Sequence, residues 1–111
     1  MDRRVAQLIE AIRAHSGAMD WNLEHACREL KLGISPAYAA RLFHRNTGMG
    51  LREYAKQQRF LTATKHLMTT ELPIKVIAAG LGYRRVCDFT RFFTKQQSLS
   101  PAKFRAAGTR S

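Results

Sequence analysis

A short segment of the chain occurs twice, with a spacing of fifty residues. Arg41-Leu42-Phe43 returns as Arg91-Phe92-Phe93, and the residues that follow match in place as Thr47-Gly48-Met49-Gly50 and Gln97-Ser98-Leu99-Ser100. Each copy combines helix-forming residues, a glycine-marked turn, and arginine beside paired apolar residues, which is the pattern of a helix-turn-helix motif. The sequence therefore predicts two such motifs in one chain.

The apolar pattern along the chain is helical, and no segment shows convincing strand alternation. Apolar residues recur at i, i+3, i+4 and i+7, as in Val5, Leu8, Ile9 and Ile12. We predict an all-α fold of seven helices, near residues 2–15, 22–31, 35–46, 51–69, 74–80, 85–96 and 101–107. They form one domain over residues 1–111, with a first lobe at 1–50, a linker helix at 51–69, a second lobe at 70–107 and a tail at 108–111.

Several helix ends carry capping signals. Ser35-Pro36 and Ser100-Pro101 combine an N-cap serine with proline in the first helical turn. Gly17 is available for a left-handed end of the first helix. A glycine also precedes each copy of the repeat, and counted from Gly33 and Gly82 the second turn is one residue longer than the first.

The chain is strongly basic. It has 19 lysine and arginine residues against 8 aspartate and glutamate residues, for a net charge of +11. A field of this sign attracts DNA, RNA or an anionic membrane. The membrane alternative is weak, because no apolar run approaches the ~20 residues that a spanning helix needs. We expect no membrane association.

The sequence offers no pattern for metal binding or catalysis. Cys27 and Cys87 form no CxxC pair, and the histidines at 15, 25, 44 and 66 lack zinc-finger spacing. Two buried cysteines in a reduced cytoplasm are the expected state. With no glycine-rich phosphate loop and no nucleophile–base pair, we predict that the protein is not an enzyme and uses no metal and no cofactor.

Taken in order, the motifs resemble the DNA-binding domain of the AraC/XylS family of bacterial transcription regulators. The resemblance rests on the segments 33–43, 47–49, 53–63, 77–83, 89–93 and 99–105. It implies an all-α domain with two helix-turn-helix lobes bridged by a long helix. It also implies that one recognition helix of each lobe, after Ser35 and near Arg85, enters the major groove. A groove ~12 Å wide admits one helix.

The candidate DNA contacts follow from the apolar pattern in the first lobe and from the resemblance in the second. Off the stripe of Ala39, Leu42 and Phe43, the candidates for base contact in the first lobe are Ala37, Tyr38, Ala40 and Arg41. The positions where the family contacts bases in the second lobe are Val86, Cys87, Thr90 and Arg91. The candidates for phosphate contact are His44, Arg45, Arg84, Arg85 and Lys95.

Two of these assignments keep alternatives, and so does the neighbouring Asp88. Arg41 suits guanine, whose O6 and N7 a guanidinium binds through two hydrogen bonds, but it could instead contact phosphate. Arg91 could contact either a base or a phosphate. Asp88 could accept from a cytosine amine or pair with a neighbouring arginine, and we favour the pair. The basic surface extends to five further cations, each of which taken alone is expected to be solvated: Lys56, Arg59, Lys75, Lys95 and Lys103.

The chain departs from the family pattern inside the long helix, where Gln58 and His66 are polar, and at three turns or helix ends. Leu30-Lys31-Leu32-Gly33 is longer than the usual tight turn, which predicts an extended helix or an unusual turn in the first lobe. Pro73 stands where a serine or threonine cap is usual. Ser98 stands where a glycine is usual.

The predicted function is sequence-specific binding of double-stranded DNA as a transcription regulator. We expect a monomer that contacts RNA polymerase and acts on the nucleoid in the bacterial cytoplasm. The alternatives are a nonspecific architectural module for DNA or RNA, and an adaptor domain for a partner protein. The sequence leaves open the operator, the regulated genes, activation or repression, the effector, and whether the chain is full-length or an excised C-terminal domain.

Overall fold

In the computed structural model, residues 1–108 are described, and they form seven α-helices and no strand. This confirms the all-α prediction. The helices are α1 (Arg3–Ala14), α2 (Leu23–Glu29), α3 (Pro36–Thr47), α4 (Leu51–Thr69), α5 (Ile74–Gly80), α6 (Val86–Gln97) and α7 (Pro101–Gly108). Helix α2 ends two residues earlier than predicted. Helix α7 includes Gly108, which was assigned to the tail, and the rest of that tail lies outside the described residues.

The chain divides into two compact units, Met1–Gln58 and Arg59–Ser111. The boundary falls inside α4, whose first half supplies Ala55 to one core and whose second half supplies Ala63 and Leu67 to the other. The first core contains Val5, Leu8, Ile12, Ala26, Cys27, Leu32, Ala39, Leu42, Phe43 and Ala55. The second contains Ala63, Leu67, Ile77, Ala78, Leu81, Phe89 and Phe93.

In the first unit, the turn after α1 lies directly against the backbone of α4. Gly17 closes α1, donating its N–H to the carbonyl oxygen of Ile12 at 2.8 Å, and it adopts a left-handed φ of 62°. A Cβ atom at Gly17 would lie 2.9 Å from the carbonyl carbon of Ala55 and closer still to its oxygen. Glycine is therefore required here for space as well as for conformation.

Aromatic rings fill the second unit. Phe93 is fully buried, and the centroid of its ring lies 5.4 Å from that of Phe60 and 5.3 Å from that of Phe104. Arg59 lies over Phe92, with its guanidinium carbon 5.2 Å from the ring centroid, and also approaches Tyr83 at 6.0 Å. The prediction that Arg59 is solvated is therefore wrong, because its side chain covers the edge of this aromatic core.

The end of α4 is held by a residue of α7. The Arg105 guanidinium donates to the carbonyl oxygens of Leu67 at 3.2 Å and Thr70 at 3.3 Å. These carbonyls belong to the last turn of α4 and the residue after it, where the helix itself provides no N–H partners. Arg105 thus acts as a C-terminal cap and not as a surface cation.

The turn of the first unit is closed by Lys31. The N–H of Leu32 donates to the carbonyl oxygen of Cys27 at 3.1 Å, and Lys31 takes a left-handed φ of 52°. Three residues, 32–34, then precede Ser35, the N-cap of α3.

The turn of the second unit closes in the same way but is shorter. The N–H of Tyr83 donates to the carbonyl oxygen of Ala78 at 3.0 Å, and Gly82 has a φ of 86°. Only two residues, 83–84, precede Arg85, the N-cap of α6. Lys31, not Gly33, is therefore the equivalent of Gly82. The count that made the second turn longer is therefore wrong, and the first turn is the longer of the two by one residue.

One cysteine differs from the prediction. Cys27 is buried, and burial raises the pKa of its thiol. Cys87 is exposed, because it is the second residue of α6 and lies off the face that carries Phe89 and Phe93. The expectation that both cysteines are buried is therefore wrong for Cys87. No helix within residues 1–108 is long and apolar enough to cross a membrane.

Candidate nucleic-acid interface

Helices α3 and α6 occupy equivalent places in the two units, and each has 12 residues. Ser35 caps α3, since its Oγ accepts from the N–H of Tyr38 at 3.1 Å, and Pro36 begins the helix. This confirms the predicted cap. Helix α3 ends at Gly48 with φ 74°, and α6 ends at Ser98 with φ 65°.

The buried face of α3 leaves the predicted site residues on the outside. Ala39, Leu42 and Phe43 are buried, as predicted from their spacing. The exposed residues are Ala37, Arg41, His44 and Arg45, while Tyr38 and Ala40 are half-buried. Positions 37, 40, 41 and 44 share one side of a helix, since residues three and four apart are neighbours on its surface.

Helix α6 has the same division. It buries Phe89 and Phe93. The exposed candidates are Arg84, Arg85, Val86, Cys87, Arg91 and Lys95, and the half-buried ones are Asp88 and Thr90. Helices α3 and α6 therefore each present an outer face with an arginine at the equivalent position. These arginines are Arg41 and Arg91, fifty residues apart. At the start of α6, Val86 and Cys87 take the places that Pro36 and Ala37 hold in α3.

In the first unit, two arginines lie near the Tyr38 ring. The guanidinium carbons of Arg41 and Arg4 lie 5.8 Å and 5.9 Å from the centroid of its ring. Arg41 comes from the next turn of the same helix, whereas Arg4 comes from α1. A ring so placed attracts both cations through its π face.

The N-terminus of α1 is fixed to α3, and this places Arg4 beside Tyr38 of α3. Asp2 caps α1, accepting from the N–H of Arg4 at 2.8 Å, and forms a 3.0 Å ion pair with the Arg4 guanidinium. The N–H of Asp2 donates to Oδ1 of Asn46 in α3 at 3.0 Å. The hydrogen bonds from Arg4 lower the pKa of Asp2 to about 2. Neither this cap nor the contact of Arg4 with Tyr38 was predicted from the sequence.

In the second unit, a carboxylate takes the place of the ring. Asp88 Oδ2 accepts from Arg85 Nε at 3.3 Å, and Asp88 Oδ1 lies 3.6 Å from Arg91 Nη1. Both arginine side chains are about three-quarters exposed, at 74% and 77%, whereas Asp88 is 34% exposed. The preferred assignment, that Asp88 pairs with a neighbouring arginine, is confirmed.

The site carries cationic groups and hydrogen-bond donors, and residues 1–108 contain no cluster of three histidine, cysteine or acidic side chains that could hold a metal ion. Each unit is a helix-turn-helix whose second helix presents an exposed arginine face. A helix presented in this way can enter a major groove and meet base edges. Fold and site together define a DNA-binding domain with two helix-turn-helix motifs.

Comparison with known proteins gives the family. The family described as "Helix-turn-helix domain" matches residues 29–107. The regulatory protein SoxS of Salmonella typhimurium is 36% identical over 94 residues, which cover 78% of this chain and 88% of SoxS. The protein belongs to the AraC/XylS family of transcription regulators, as the sequence motifs indicated.

Solved structures agree with this assignment. The C-terminal domain of AraT, a response regulator from Geobacillus stearothermophilus, superposes with a TM-score of 0.84 at 28% identity, covering 96% of this chain and 86% of that one. The DNA-binding domain of AdpA in complex with a target DNA has a TM-score of 0.80 at 24% identity, covering 96% and 93%. The likeness to AdpA concerns the fold.

Proposed function

We propose that the protein regulates transcription by binding double-stranded DNA with sequence preference, placing α3 and α6 in two successive segments of the major groove. The observation that carries the proposal is the equivalent outer face of these helices. Each has an exposed arginine, at 41 and 91, opposite a buried apolar face. Membership of a family of transcription regulators supports the same function.

The residues divide into two groups by chemistry. Arg41 can give two hydrogen bonds to guanine, and the small Ala37 and Ala40 allow the helix to approach base edges or a thymine methyl group. The other residues assigned to base contact are Tyr38, Val86, Cys87, Thr90 and Arg91. Contacts to phosphate come from His44, Arg45, Arg84, Arg85 and Lys95, all exposed. Phosphate contacts supply most of the affinity and base contacts supply the discrimination.

We further propose the stoichiometry, the partner and the cellular location of the protein. The protein binds as a monomer, because two motifs in one chain make a second copy unnecessary for two contacts. It contacts RNA polymerase from its DNA site and acts at the nucleoid in the bacterial cytoplasm. It has no catalytic role and needs no metal or cofactor.

The test compares duplexes of different sequence and salt. A duplex selected from a randomised library should bind at least about 10³-fold more tightly than a scrambled duplex near 150 mM salt. With 6–10 phosphates contacted, affinity should fall by about 10³–10⁵ between 50 and 200 mM salt. Equal affinity for both duplexes would instead indicate a nonspecific architectural module. Affinity that hardly changes with salt would indicate an adaptor for another protein.

A further inference from the structure

Each recognition arginine has a partner one helical turn earlier in its own helix. Tyr38 precedes Arg41 by three residues, and Asp88 precedes Arg91 by three residues, so the two partners occupy equivalent positions of the repeat. Each partner also touches a second arginine, Arg4 in the first unit and Arg85 in the second. Both partners thus contact two arginines, although Arg4 comes from α1 and Arg85 is the N-cap of α6 itself. The partner is an aromatic ring in the first unit and a carboxylate in the second.

We propose that Tyr38 and Asp88 are positioning residues that set how Arg41 and Arg91 meet DNA, with opposite effects on binding. Tyr38 holds Arg41 ready for a base and strengthens specific binding. Asp88 restrains Arg91 and Arg85 from nonspecific phosphates and weakens nonspecific binding. The inference rests on the proposed function, and it assigns to this pair of positions a share of the specificity.

Tyr38 can orient Arg41 without occupying its hydrogen-bond donors. The guanidinium lies over the ring at 5.8 Å, and a cation–π interaction uses the positive charge, not an N–H group. The donors of Arg41 remain for the two acceptors of a guanine. Because the side chain loses fewer conformations on binding, more of the contact energy appears as affinity. Arg4, anchored by Asp2, also contacts the ring, with its guanidinium carbon 5.9 Å from the centroid.

Asp88 acts through its charge. A carboxylate on the outer face of α6 repels phosphate, and its ion pairs at 3.3 Å and 3.6 Å offset the charges of Arg85 and Arg91. A phosphate must therefore compete with Asp88 for these arginines at any sequence. At a suitable base pair, the carboxylate can instead accept from a cytosine amine. Asp88 thus lowers the affinity for DNA wherever no cytosine amine is within reach. The loss is therefore largest on nonspecific DNA.

The experiment measures the Kd of each variant for two duplexes at one salt concentration. One duplex is selected with the wild-type protein from a randomised library, and the other is its scrambled form. Tyr38→Leu should weaken binding to the selected duplex about two- to five-fold and leave the scrambled duplex unchanged. Tyr38→Phe, which keeps the ring, should recover the discrimination that Tyr38→Leu loses.

The second unit is tested against a charge-matched control. Asp88→Asn should tighten binding to the scrambled duplex about two- to five-fold more than to the selected one. Glu53→Gln makes the same change in net charge at an exposed first-turn position of α4. It should leave the ratio of the two affinities as in the wild type.

A double-mutant cycle separates positioning from folding. In an Arg41→Ala background, Tyr38→Leu should change the ratio no further, and in an Arg91→Ala background most of the Asp88→Asn effect should disappear. Equal weakening on both duplexes by Tyr38→Leu, or an unchanged ratio in Asp88→Asn, would overturn the inference. A wild-type protein that binds both duplexes equally would instead overturn the proposed function. The two failures are therefore distinguishable.

Discussion

Substitution of Gly17 by alanine should destabilise the first unit by a steric effect that can be isolated. Gly17 has a φ of 62°, and a left-handed alanine costs about 1–2 kcal/mol. The added methyl would also overlap the carbonyl group of Ala55, lying 2.9 Å from its carbon atom. The turn must then move away from α4, and overpacking of this kind costs about 1–3 kcal/mol. Together the two effects amount to about 2–5 kcal/mol.

Gly48→Ala is the matched control. Gly48 has a similar φ of 74°, and apart from its own chain neighbours no part of residues 1–108 lies within 4 Å of the position its Cβ would take. It should cost only the conformational penalty of about 1–2 kcal/mol. Urea unfolding followed by the fluorescence of Trp21 suits both variants. Trp21 is the single tryptophan of the chain, and it packs against the core of the first unit.

The difference between the two variants measures the steric contact alone. We expect Gly17→Ala to unfold with a free energy about 1–3 kcal/mol below that of Gly48→Ala. Because α3 belongs to the same core, Gly17→Ala should also weaken binding to the selected duplex near its unfolding midpoint. If both variants lost the same free energy, the reasoning that places the Gly17 turn directly on the backbone of α4 would be refuted.

Three further predictions follow from single residues. Ser98→Gly should stabilise the second unit by about 1 kcal/mol, seen as a higher Tm, because Ser98 ends α6 at φ 65° where glycine is unstrained; an unchanged or lower Tm would contradict this. The pKa of Asp2 falls from 3.8 to about 2 on folding, so its contribution to stability is present above pH 4 and is lost as the pH falls towards 2. Asp2→Ala should remove that part of the pH dependence of Tm. The same pH dependence in the variant as in the wild type would contradict the ion pair between Asp2 and Arg4. Arg41→Ala should cost about 1–3 kcal/mol on the selected duplex and relax the preference at one or two base pairs, whereas Arg45→Ala should weaken all duplexes nearly equally; identical behaviour of the two variants would show that Arg41 does not contact a base.

Local signals in the sequence account for most of the fold. Helical spacing identified all seven helices of the described chain, and Ser35 fixed the start of α3, because capping depends on residues within one turn. The turns were harder to place. Lys31 closes α2 in a left-handed conformation, which lysine does not favour. That Lys31 and not Gly33 ends the helix depends on the hydrogen bond from the N–H of Leu32 to the carbonyl oxygen of Cys27. Counting the first turn from Gly33 therefore gave the wrong length.

The exposed face of α3 was predictable from the sequence, whereas most contacts within it were not. The spacing of Ala39, Leu42 and Phe43 showed which face of α3 is exposed, and it places Arg41 on that face. The pair of Asp88 with its arginines is also local, since they are three residues apart. The contact of Arg4 with Tyr38 joins helices distant in sequence, and no periodic pattern encodes it. It depends on how α1 packs against α3.

The most direct test of the account is a footprint on the selected duplex, combined with the stoichiometry of the complex. We predict that one copy of the chain protects two major-groove segments on one face of the duplex, centred about one helical turn, or about 34 Å, apart. The two segments should differ in sequence, because Ala37, Ala40 and Arg41 differ from Val86, Thr90 and Arg91. A palindromic site bound by two copies, or protection of a single groove segment, would contradict the account.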